Sequence, residues 1–295
     1  MALFDSISKQ PVSRRRFLKA SLGGAAALAL YAGEIERHWI EVGEREIRLH
    51  GLAENFDGFR IAQISDIHMD EFTEPFFLRH VVDRVNRLRP DMVLVTGDHV
   101  SYGMFSRNYA IGAAWQCASL LKELACKQTY AVLGNHDVVV GSREVTEALT
   151  ANGIVVLKNA SMPIERGGKR FWLSGVDDPV MGHPDLELAI PESIRNRPEE
   201  PVVLMCHAPD YIEDLLAHPA GRSIGLMLSG HTHGGQVRLP LLGALLLPTL
   251  GQKYVQGWFR RAGIQLNVNR GIGTSGLPFR FDCPPEITVI TLRRS

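Results

Sequence analysis

Residues 60–68 read Arg-Ile-Ala-Gln-Ile-Ser-Asp-Ile-His, a short apolar run that leads directly into a carboxylate and an imidazole. The run predicts a buried strand over residues 60–65. Alternate residues of an extended backbone face the same side, so Asp66 and His68 are predicted to share one face. Such a pair can form half of a metal site, although an Asp and a His at this spacing more often make a structural hydrogen bond.

The same arrangement recurs along the chain. Apolar runs at 92–95, 130–133, 202–206 and 225–229 each lead into a polar cluster that contains histidine. Further segments predict helices and strands: helices over 75–88, 106–125 and 142–151, a hairpin around Gly43, a β-rich region over 154–176, and strands over 264–268 and 286–292. This alternation predicts an α/β fold, in which ligand sites lie at the carboxyl ends of strands.

The polar residues that follow the apolar runs form a coherent donor set. Its members are Asp66, His68, Asp98, Asn135, His136, His207, His231 and His233. Hard oxygens and imidazoles without a thiolate suit two Mn, Fe or Zn ions better than calcium or a structural cysteine site. Glycines 97, 134 and 230 precede these donors, and they predict sharp exits from the strands and close backbone approaches.

The order of these motifs resembles that of the calcineurin-like metallophosphoesterases. Asp-x-His, Gly-Asp, Gly-Asn-His-Asp, a single His and Gly-His-Thr-His follow one another, and the likeness extends from about residue 45 to the end. The segments 230–236 and 269–273 resemble the bacterial branch exported by the twin-arginine route. The resemblance implies a four-layer α/β/β/α sandwich with a dinuclear metal site at the strand ends. Asp137 departs from the Glu of many relatives, which leaves its role open.

The resemblance also implies residue roles. The first metal would be bound by Asp66, His68, Asp98 and His233, and the second by Asp98, Asn135, His207 and His231. Asp98 then bridges the two ions. His136 would protonate or hydrogen-bond the leaving oxygen of a phosphoester. The implied activity is the hydrolysis of phosphoesters, with phosphodiesters as the favoured substrates. A phosphomonoesterase and a catalytically silent metal-binding scaffold remain as alternatives.

Three more residues near the motifs are candidates for indirect roles. His99 adjoins the bridging Asp98 and could contact substrate, although a structural histidine is the commoner case. Asp137 follows the motif histidine. Asp178, next to Asp177, either orients a metal-bound histidine or belongs to a solvated turn before Pro179.

Residues 1–33 read as an export signal that precedes a single domain over 34–295. Ser13-Arg14-Arg15-Arg16-Phe17-Leu18-Lys19 resembles the twin-arginine signal, which implies the twin-arginine translocation machinery as a partner. The uncharged run Ala20–Ala32 is shorter than the ~20 residues of a membrane-spanning helix. Two short segments that end at Ala29 and Ala32 fit the small-residue pattern of a cleavage site only moderately. The signal is therefore expected either to be removed or to remain as a membrane tether. The protein is therefore expected in the periplasm or at the outer face of the cytoplasmic membrane.

Charge and composition constrain the partners. The first 33 residues carry five basic and one acidic residue, whereas residues 34–295 carry 27 basic and 31 acidic residues and a net charge of −4. An acidic body disfavours a nucleic-acid-binding surface. The apolar segment 239–250 begins six residues after His233, where it either contacts lipid or packs in the core.

Overall fold

The structure is a computed structural model that describes residues 13–70, 72–103, 106–195, 197 and 199–295. Residues 1–12 of the predicted signal segment lie outside these. The helices are α1 Arg14–Leu30, α2 Pro75–Leu88, α3 Arg107–Leu121, α4 Asn135–Ala151, α5 Leu186–Ala189, α6 Glu192–Arg195 and α7 Ile212–Ala217. The strands are β1 Glu41–Leu49, β2 Arg60–Ile64, β3 Met92–Thr96, β4 Thr129–Val132, β5 Val155–Val156, β6 Ala160–Arg166, β7 Lys169–Gly175, β8 Val202–Met205, β9 Ile224–Ser229, β10 Arg238–Leu239, β11 Gly243–Ala244, β12 Gly257–Arg261, β13 Ile264–Val268 and β14 Glu286–Arg294.

Twelve of these strands form two mixed sheets of six. The first has the order β1-β14-β2-β3-β4-β5 and the second β12-β13-β9-β8-β7-β6, while β10 and β11 make a separate small hairpin. Strands β2, β3 and β4 run parallel, as do β8 and β9, so their carboxyl ends lie at one edge of each sheet. That edge carries the polar clusters.

Three hydrophobic clusters separate four layers. One lies between the first sheet and α2–α4, where Ile64 and Val95 pack against Leu78 and Val145. A second joins the two sheets, and a third covers the outer face of the second sheet, where Ile212 packs. The chain therefore has the predicted four-layer α/β/β/α architecture.

Two helices, α2 and α4, begin close to the polar edge of the first sheet. Helix α2 begins at Pro75 and ends at Leu88, as predicted, because Pro75 fits a first turn and Pro90 blocks continuation. Helix α4 starts earlier than its predicted beginning at residue 142. Its first turn contains Asn135 and His136, and the helix is interrupted at Gly141, which has a φ of +145°.

The predicted hairpin around Gly43 is wrong. Residues 41–49 form one continuous strand, and Gly43 pairs with Thr288 in a parallel ladder with β14. Local sequence suggested a turn because glycine favours turns. The partner strand lies more than 240 residues further along the chain, so the sequence gives no local signal for this pairing.

Residues 31–38, between α1 and β1, pack on the body. The backbone N–H of Arg280 donates to the carbonyl of Ala32 at 3.0 Å, and that of Cys283 donates to Glu36 Oε1 at 2.7 Å. Glu36 is 4% exposed. Residues 31–33, which the sequence grouped with the signal, are thus in contact with the domain, whereas α1 buries none of its residues. Among the described helices, none is both long and apolar enough to cross a membrane.

Candidate dinuclear metal site

Five of the candidate ligands adopt a left-handed backbone at the edge of the sheets. The φ angles are +49° at Asp66 and His68, +53° at Asp98, +72° at His231 and +51° at His233. Such conformations cost about 1–3 kcal/mol each for residues other than glycine, and they cluster at functional sites. Asp66 and His68 do share one site, but not through the predicted alternation, because β2 ends at Ile64 and both residues then turn sharply.

Asp66, His68 and His233 form one group of buried donors. The Nε2 atoms of His68 and His233 lie 3.0 Å apart, and Asp66 Oδ1 is 3.5 Å from His233 Nε2. The backbone N–H of His231 donates to both oxygens of Asp66, at 2.8 and 3.0 Å. The Asp66 carboxylate is therefore fixed by the loop that supplies the two histidines of the Gly-His-Thr-His motif.

Asp98, His207 and His231 form the second group. Asp98 Oδ2 lies 3.1 Å from His207 Nε2 and 3.4 Å from His68 Nε2, so this carboxylate stands between the two groups. The Oδ1 atom of Asn135 is buried without a hydrogen-bond partner. The Asp98 carboxylate thus lies within reach of donors from both groups.

Hydrogen bonds on the far side of three imidazoles determine which nitrogen faces the cluster. His207 Nδ1 donates to the carbonyl of Thr96 at 2.7 Å, and His231 Nε2 donates to that of Thr249 at 2.8 Å. A carbonyl can only accept, so each of these nitrogens carries a proton when the ring is neutral. The other nitrogen of each ring then presents its lone pair to the cluster.

Asp70 and Ser101 orient His68 in the same way, and the sequence analysis missed both. The Ser101 hydroxyl donates to Asp70 Oδ2 at 2.6 Å, so its oxygen accepts from His68 Nδ1 at 3.1 Å. His68 Nε2 is left unprotonated toward the cluster. The spacing of Asp70, two residues after His68, was the available signal, but Ser101 lies 33 residues away.

His99 and Asp137 form a buried pair behind the site. His99 is fully buried, and its Nε2 atom has no hydrogen-bond partner among the described residues. Asp137 Oδ2 accepts from His99 Nδ1 at 2.8 Å and from the N–H of Gly134 at 3.0 Å, while Oδ1 accepts from the N–H of His99 at 2.9 Å. Asp137 therefore ties the loop that carries Asp98 to the start of α4.

Asp178 is also fully buried, so the solvated-turn interpretation does not hold. Its Oδ2 accepts from the N–H groups of Val180 and Met181, at 2.9 and 2.6 Å. Burial raises the pKa of this carboxyl to about 6, against the opposing charge of His207. These contacts shape the turn after β7, and His207 takes its orientation from Thr96 instead.

His136 lies at the margin of the cluster. Its ring centroid is 4.5 Å from that of His68, and its backbone N–H donates to Asp98 Oδ1 at 2.9 Å. The N–H of Tyr102 donates to His136 Nδ1 at 3.1 Å, so the neutral ring carries its proton on Nε2. Burial lowers the pKa of His136 to about 4, which keeps the ring neutral near pH 7.

Burial and neighbouring charges shift the pKa values of the cluster in different directions. Burial alone would raise the pKa of Asp98, but the nearby His207 and His136 hold it well below its usual value. Burial likewise opposes a charge on His207, yet the carboxylate of Asp98 raises its pKa well above the usual range. A site that draws a proton to a buried imidazole in this way also attracts a metal cation.

Glycines occupy positions at the site where the backbone passes too close to other residues to leave room for a side chain. A Cβ on Gly134 would collide with the Asp98 carboxylate, and one on Gly230 would collide with Ser65 and Asp66. The segment 269–273 packs against the same loop, where the N–H of Gly273 donates to the Asp66 carbonyl at 2.7 Å. The predicted close approaches are therefore confirmed.

The donor set fits two divalent ions. A carboxylate oxygen and imidazole nitrogens lie within 4.8 Å of one another in each group of donors. Asn135 Oδ1 and His233 Nδ1 are buried without a protein partner. A buried polar atom costs free energy when it makes no hydrogen bond, and for Asn135 Oδ1 a metal ion would remove that cost.

Two family models match the chain. The model described as calcineurin-like phosphoesterase matches residues 59–235, and the model described as the twin-arginine translocation pathway signal sequence matches residues 11–31. The first match covers more than half of the chain and spans the donors from Asp66 to His233. The second identifies the N-terminal segment as a twin-arginine export signal.

Two relatives and one solved structure agree with these matches. The uncharacterized metallophosphoesterase YkuE of Bacillus subtilis (strain 168) is 33% identical over 293 residues, which cover 96% of this chain and 98% of YkuE. Phosphodiesterase YaeI of Escherichia coli (strain K12) is 33% identical over 288 residues, covering 95% of this chain and 99% of YaeI. The NAD nucleotidase NadN of Haemophilus influenzae shares the fold, with a TM-score of 0.50 at 14% identity over 72% of this chain and 45% of that one. The chain therefore belongs to the calcineurin-like phosphoesterases, which hydrolyse phosphoric esters at a dinuclear divalent metal centre.

Proposed function

We propose that this enzyme is a phosphodiesterase that acts outside the cytoplasmic membrane on a lipid-linked or otherwise membrane-proximal substrate. The contact between His231 Nε2 and the Thr249 carbonyl supports this most directly, because it joins a metal-site histidine to the apolar segment 239–250. Four of the seven leucines in that segment are exposed, and the other three are half-buried. The exposed fractions of the four are 107% at Leu241, 76% at Leu242, 53% at Leu245 and 85% at Leu246.

The ligand roles are part of the proposal. Asp66, His68, Asp98 and His233 would hold one ion, and Asp98, Asn135, His207 and His231 the other, with Mn, Fe or Zn as the metals. When bound, the two ions supply an activated water and offset the charge that develops on the phosphoryl oxygens. The chain's own contribution is to fix each donor, as Thr96, Thr249 and Ser101 do for three of the imidazoles.

His136 is proposed to act on the leaving oxygen. The hydrogen bond from the Tyr102 N–H occupies Nδ1, so Nε2–H of the neutral ring is available as a donor. A donor aimed at the leaving oxygen stabilises the negative charge that develops there as the ester bond breaks. The low pKa favours hydrogen bonding over protonation by an imidazolium.

Two observations favour a diester and an exported enzyme. YaeI, which matches nearly the whole chain, is named a phosphodiesterase. The twin-arginine signal implies passage of a folded protein across the cytoplasmic membrane, which leads to the periplasm or to the outer face of that membrane. Retention of the exposed helix α1 would keep the enzyme tethered there.

The test is hydrolysis of bis-p-nitrophenyl phosphate against p-nitrophenyl phosphate, with the protein loaded with Mn, Fe or Zn. We expect faster turnover of the diester and loss of that activity after chelation, restored by the metal. A preference for the monoester would replace the proposal with a phosphomonoesterase. No turnover of either ester by protein shown to hold two metals would support the silent scaffold instead.

A further inference from the structure

A cavity of about 220 Å³ opens beside His136, and no residue of segment 239–250 is among its lining residues. Its principal lining residues are Asp70, Phe72, Tyr102, Tyr109, His136 and Gly276. The rings of Tyr102 and His136 lie 4.8 Å apart. Because His136 also belongs to a donor group with His68 and Asp98, the cavity opens directly onto the reacting centre.

Three aromatic side chains line this small space. Tyr102 and Tyr109 are 47% and 42% exposed, so a large part of each side chain lies outside the core. Phe72 is held in place through its backbone, since its N–H donates to Asp70 Oδ1 at 2.7 Å and its carbonyl accepts from Arg37 Nη1 at 2.6 Å. Partly exposed aromatic residues around a cavity are typical of ligand binding.

The cavity also contains a carboxylate whose hydrogen bonds, among the described residues, all come from neutral donors. Asp70 accepts from the N–H groups of Phe72 and Thr73 and from the Ser101 hydroxyl. The neighbouring guanidinium groups are paired with other carboxylates: Arg37 with Glu74 at 2.7 Å, and Arg107 with Glu144 at 2.8 Å. Asp70 thus gives the aromatic cavity a negative charge.

Aromatic faces together with a carboxylate favour one class of ligand. The π faces attract a cation, most strongly a poorly hydrated quaternary ammonium, and the carboxylate adds a Coulombic attraction. The same carboxylate repels a second phosphate. The volume lies below the ~300–1,000 Å³ of sites that enclose whole ligands, so it suits one small group.

We propose that the cavity lined by Phe72, Tyr102, Tyr109 and Asp70 binds the ammonium group of a small amino-alcohol arm of the phosphodiester. This inference rests on the proposed function, because it places the phosphate at the metal site. The two arms of the substrate then have different surroundings. The ammonium arm lies beside His136 and is the leaving alcohol, and the other arm extends toward the exposed leucines near Thr249.

The test compares two ligands of the same shape and different charge. Phosphocholine and 3,3-dimethylbutyl phosphate differ only by nitrogen in place of the quaternary carbon. We measure their dissociation constants by calorimetry on the full, metal-loaded chain, so the result does not depend on turnover. Wild-type protein should bind phosphocholine roughly tenfold more tightly than its neutral isostere.

Variants show whether the preference comes from this cavity. Asp70→Asn and Tyr102→Ala should each reduce the preference to below about threefold. Glu123→Gln removes an equal charge from an exposed ion pair with Arg79, and Trp115→Ala removes an exposed ring of α3 outside the cavity lining. Both controls should keep the tenfold ratio, because neither residue lines the cavity.

Equal binding of the two ligands by wild-type protein, or a full preference in Asp70→Asn, would overturn the inference. Diester hydrolysis is measured separately, so failure of the proposed function is recognised by absent turnover rather than by the binding ratio. Choline release from phosphatidylcholine vesicles would identify a lipid as the source of the ammonium arm. Release from glycerophosphocholine alone would identify a soluble diester, and either result supports the cavity assignment.

Discussion

The backbone N–H of Tyr102 lies 3.1 Å from Nδ1 of His136 and donates to it, which places the proton of the neutral imidazole on Nε2. Since a main-chain donor makes this contact, replacement of the Tyr102 side chain leaves it in place. His136 is therefore held as a hydrogen-bond donor toward the reacting centre without a need for the imidazolium form.

Replacement of His136 should separate leaving-group assistance from metal binding. We expect His136→Ala to keep both metals, because the proposed ligand of this turn is Asn135. Activity on an alkyl phosphodiester should fall by ~10²–10⁴-fold, and activity on a p-nitrophenyl ester much less, because its phenolate leaves without help. Metal content by mass spectrometry and kcat on the two esters provide the measurement. His136→Gln, which retains an N–H donor, should recover part of the alkyl-ester activity.

Equal losses on the two esters, with metal content unchanged, would contradict this role. They would indicate that His136 positions the phosphate or the attacking water instead.

Asp98 should behave differently, because its carboxylate stands between the two donor groups. Asp98→Asn removes the charge that lies 3.1 Å from His207 Nε2 and 3.4 Å from His68 Nε2. We expect loss of at least one metal per chain and of activity toward every ester. Two metals retained at wild-type affinity would rule out a bridging role for Asp98.

Much of the architecture could be predicted from the sequence because its signals are local. Pro75 and Pro90 frame α2, and apolar runs identify β3, β8 and β9 within a residue or two of their bounds. The single strand through Gly43 could not be predicted, because its partner β14 is distant in sequence.

The candidate site, like the fold, could be predicted from the sequence only in part. The motifs predicted donors that the structure brings together, six of the seven proposed ligands among them, but alternation along a strand gave the wrong reason for the pairing of Asp66 with His68. Both residues instead adopt a left-handed backbone conformation, which brings their side chains to one site. The Ser101 hydroxyl and the Thr96 and Thr249 carbonyls could not be predicted, because ring orientation depends on contacts between distant loops.

The connecting segment 31–38 should contribute to stability. A chain that starts at residue 39 loses the bond between Glu36 and the Cys283 N–H and the ion pair between Arg37 and Glu74. A hydrogen bond to a charged group contributes about 1.5–3 kcal/mol, so we expect the melting temperature to fall by roughly 5–10 °C. A chain that starts at Tyr31 is the control. It lacks residues 1–30, and α1 within them buries no residue, so it should melt within about 1 °C of the full chain.

The same contacts make a prediction about processing. Cleavage after Ala32 would separate its carbonyl, which accepts from Arg280, from the rest of the folded chain. Mass spectrometry of exported protein should therefore find an N-terminus at or before residue 32. A mature chain that begins at Gly33 would show that the contact is dispensable.

Export should require the arginine pair and should carry folded, metal-loaded enzyme. Replacement of Arg14 and Arg15 with Lys is expected to retain the protein in the cytoplasm with both metals bound, since the twin-arginine route transports folded proteins. Arg16→Lys preserves the pair and serves as the matched control. Cell fractionation and metal content provide the measurement. Metal-free or unfolded protein in the cytoplasm would contradict metal loading before export.

The exposed leucines should bind a lipid surface without taking part in the chemistry. Leu245 and Leu246 are 53% and 85% exposed, and they lie in the segment whose Thr249 carbonyl accepts from His231. Apolar area that inserts into a lipid surface contributes about 25 cal/mol per Å² to binding, and replacement of both leucines with Ser removes part of that area. Liposome co-sedimentation of the mature protein should therefore fall several-fold. Hydrolysis of bis-p-nitrophenyl phosphate should stay within about twofold, because the Thr249 backbone is unchanged. Leu188→Ser, at a 63% exposed leucine on α5, should alter neither property. Wild-type protein that fails to co-sediment with liposomes would refute membrane contact through this segment.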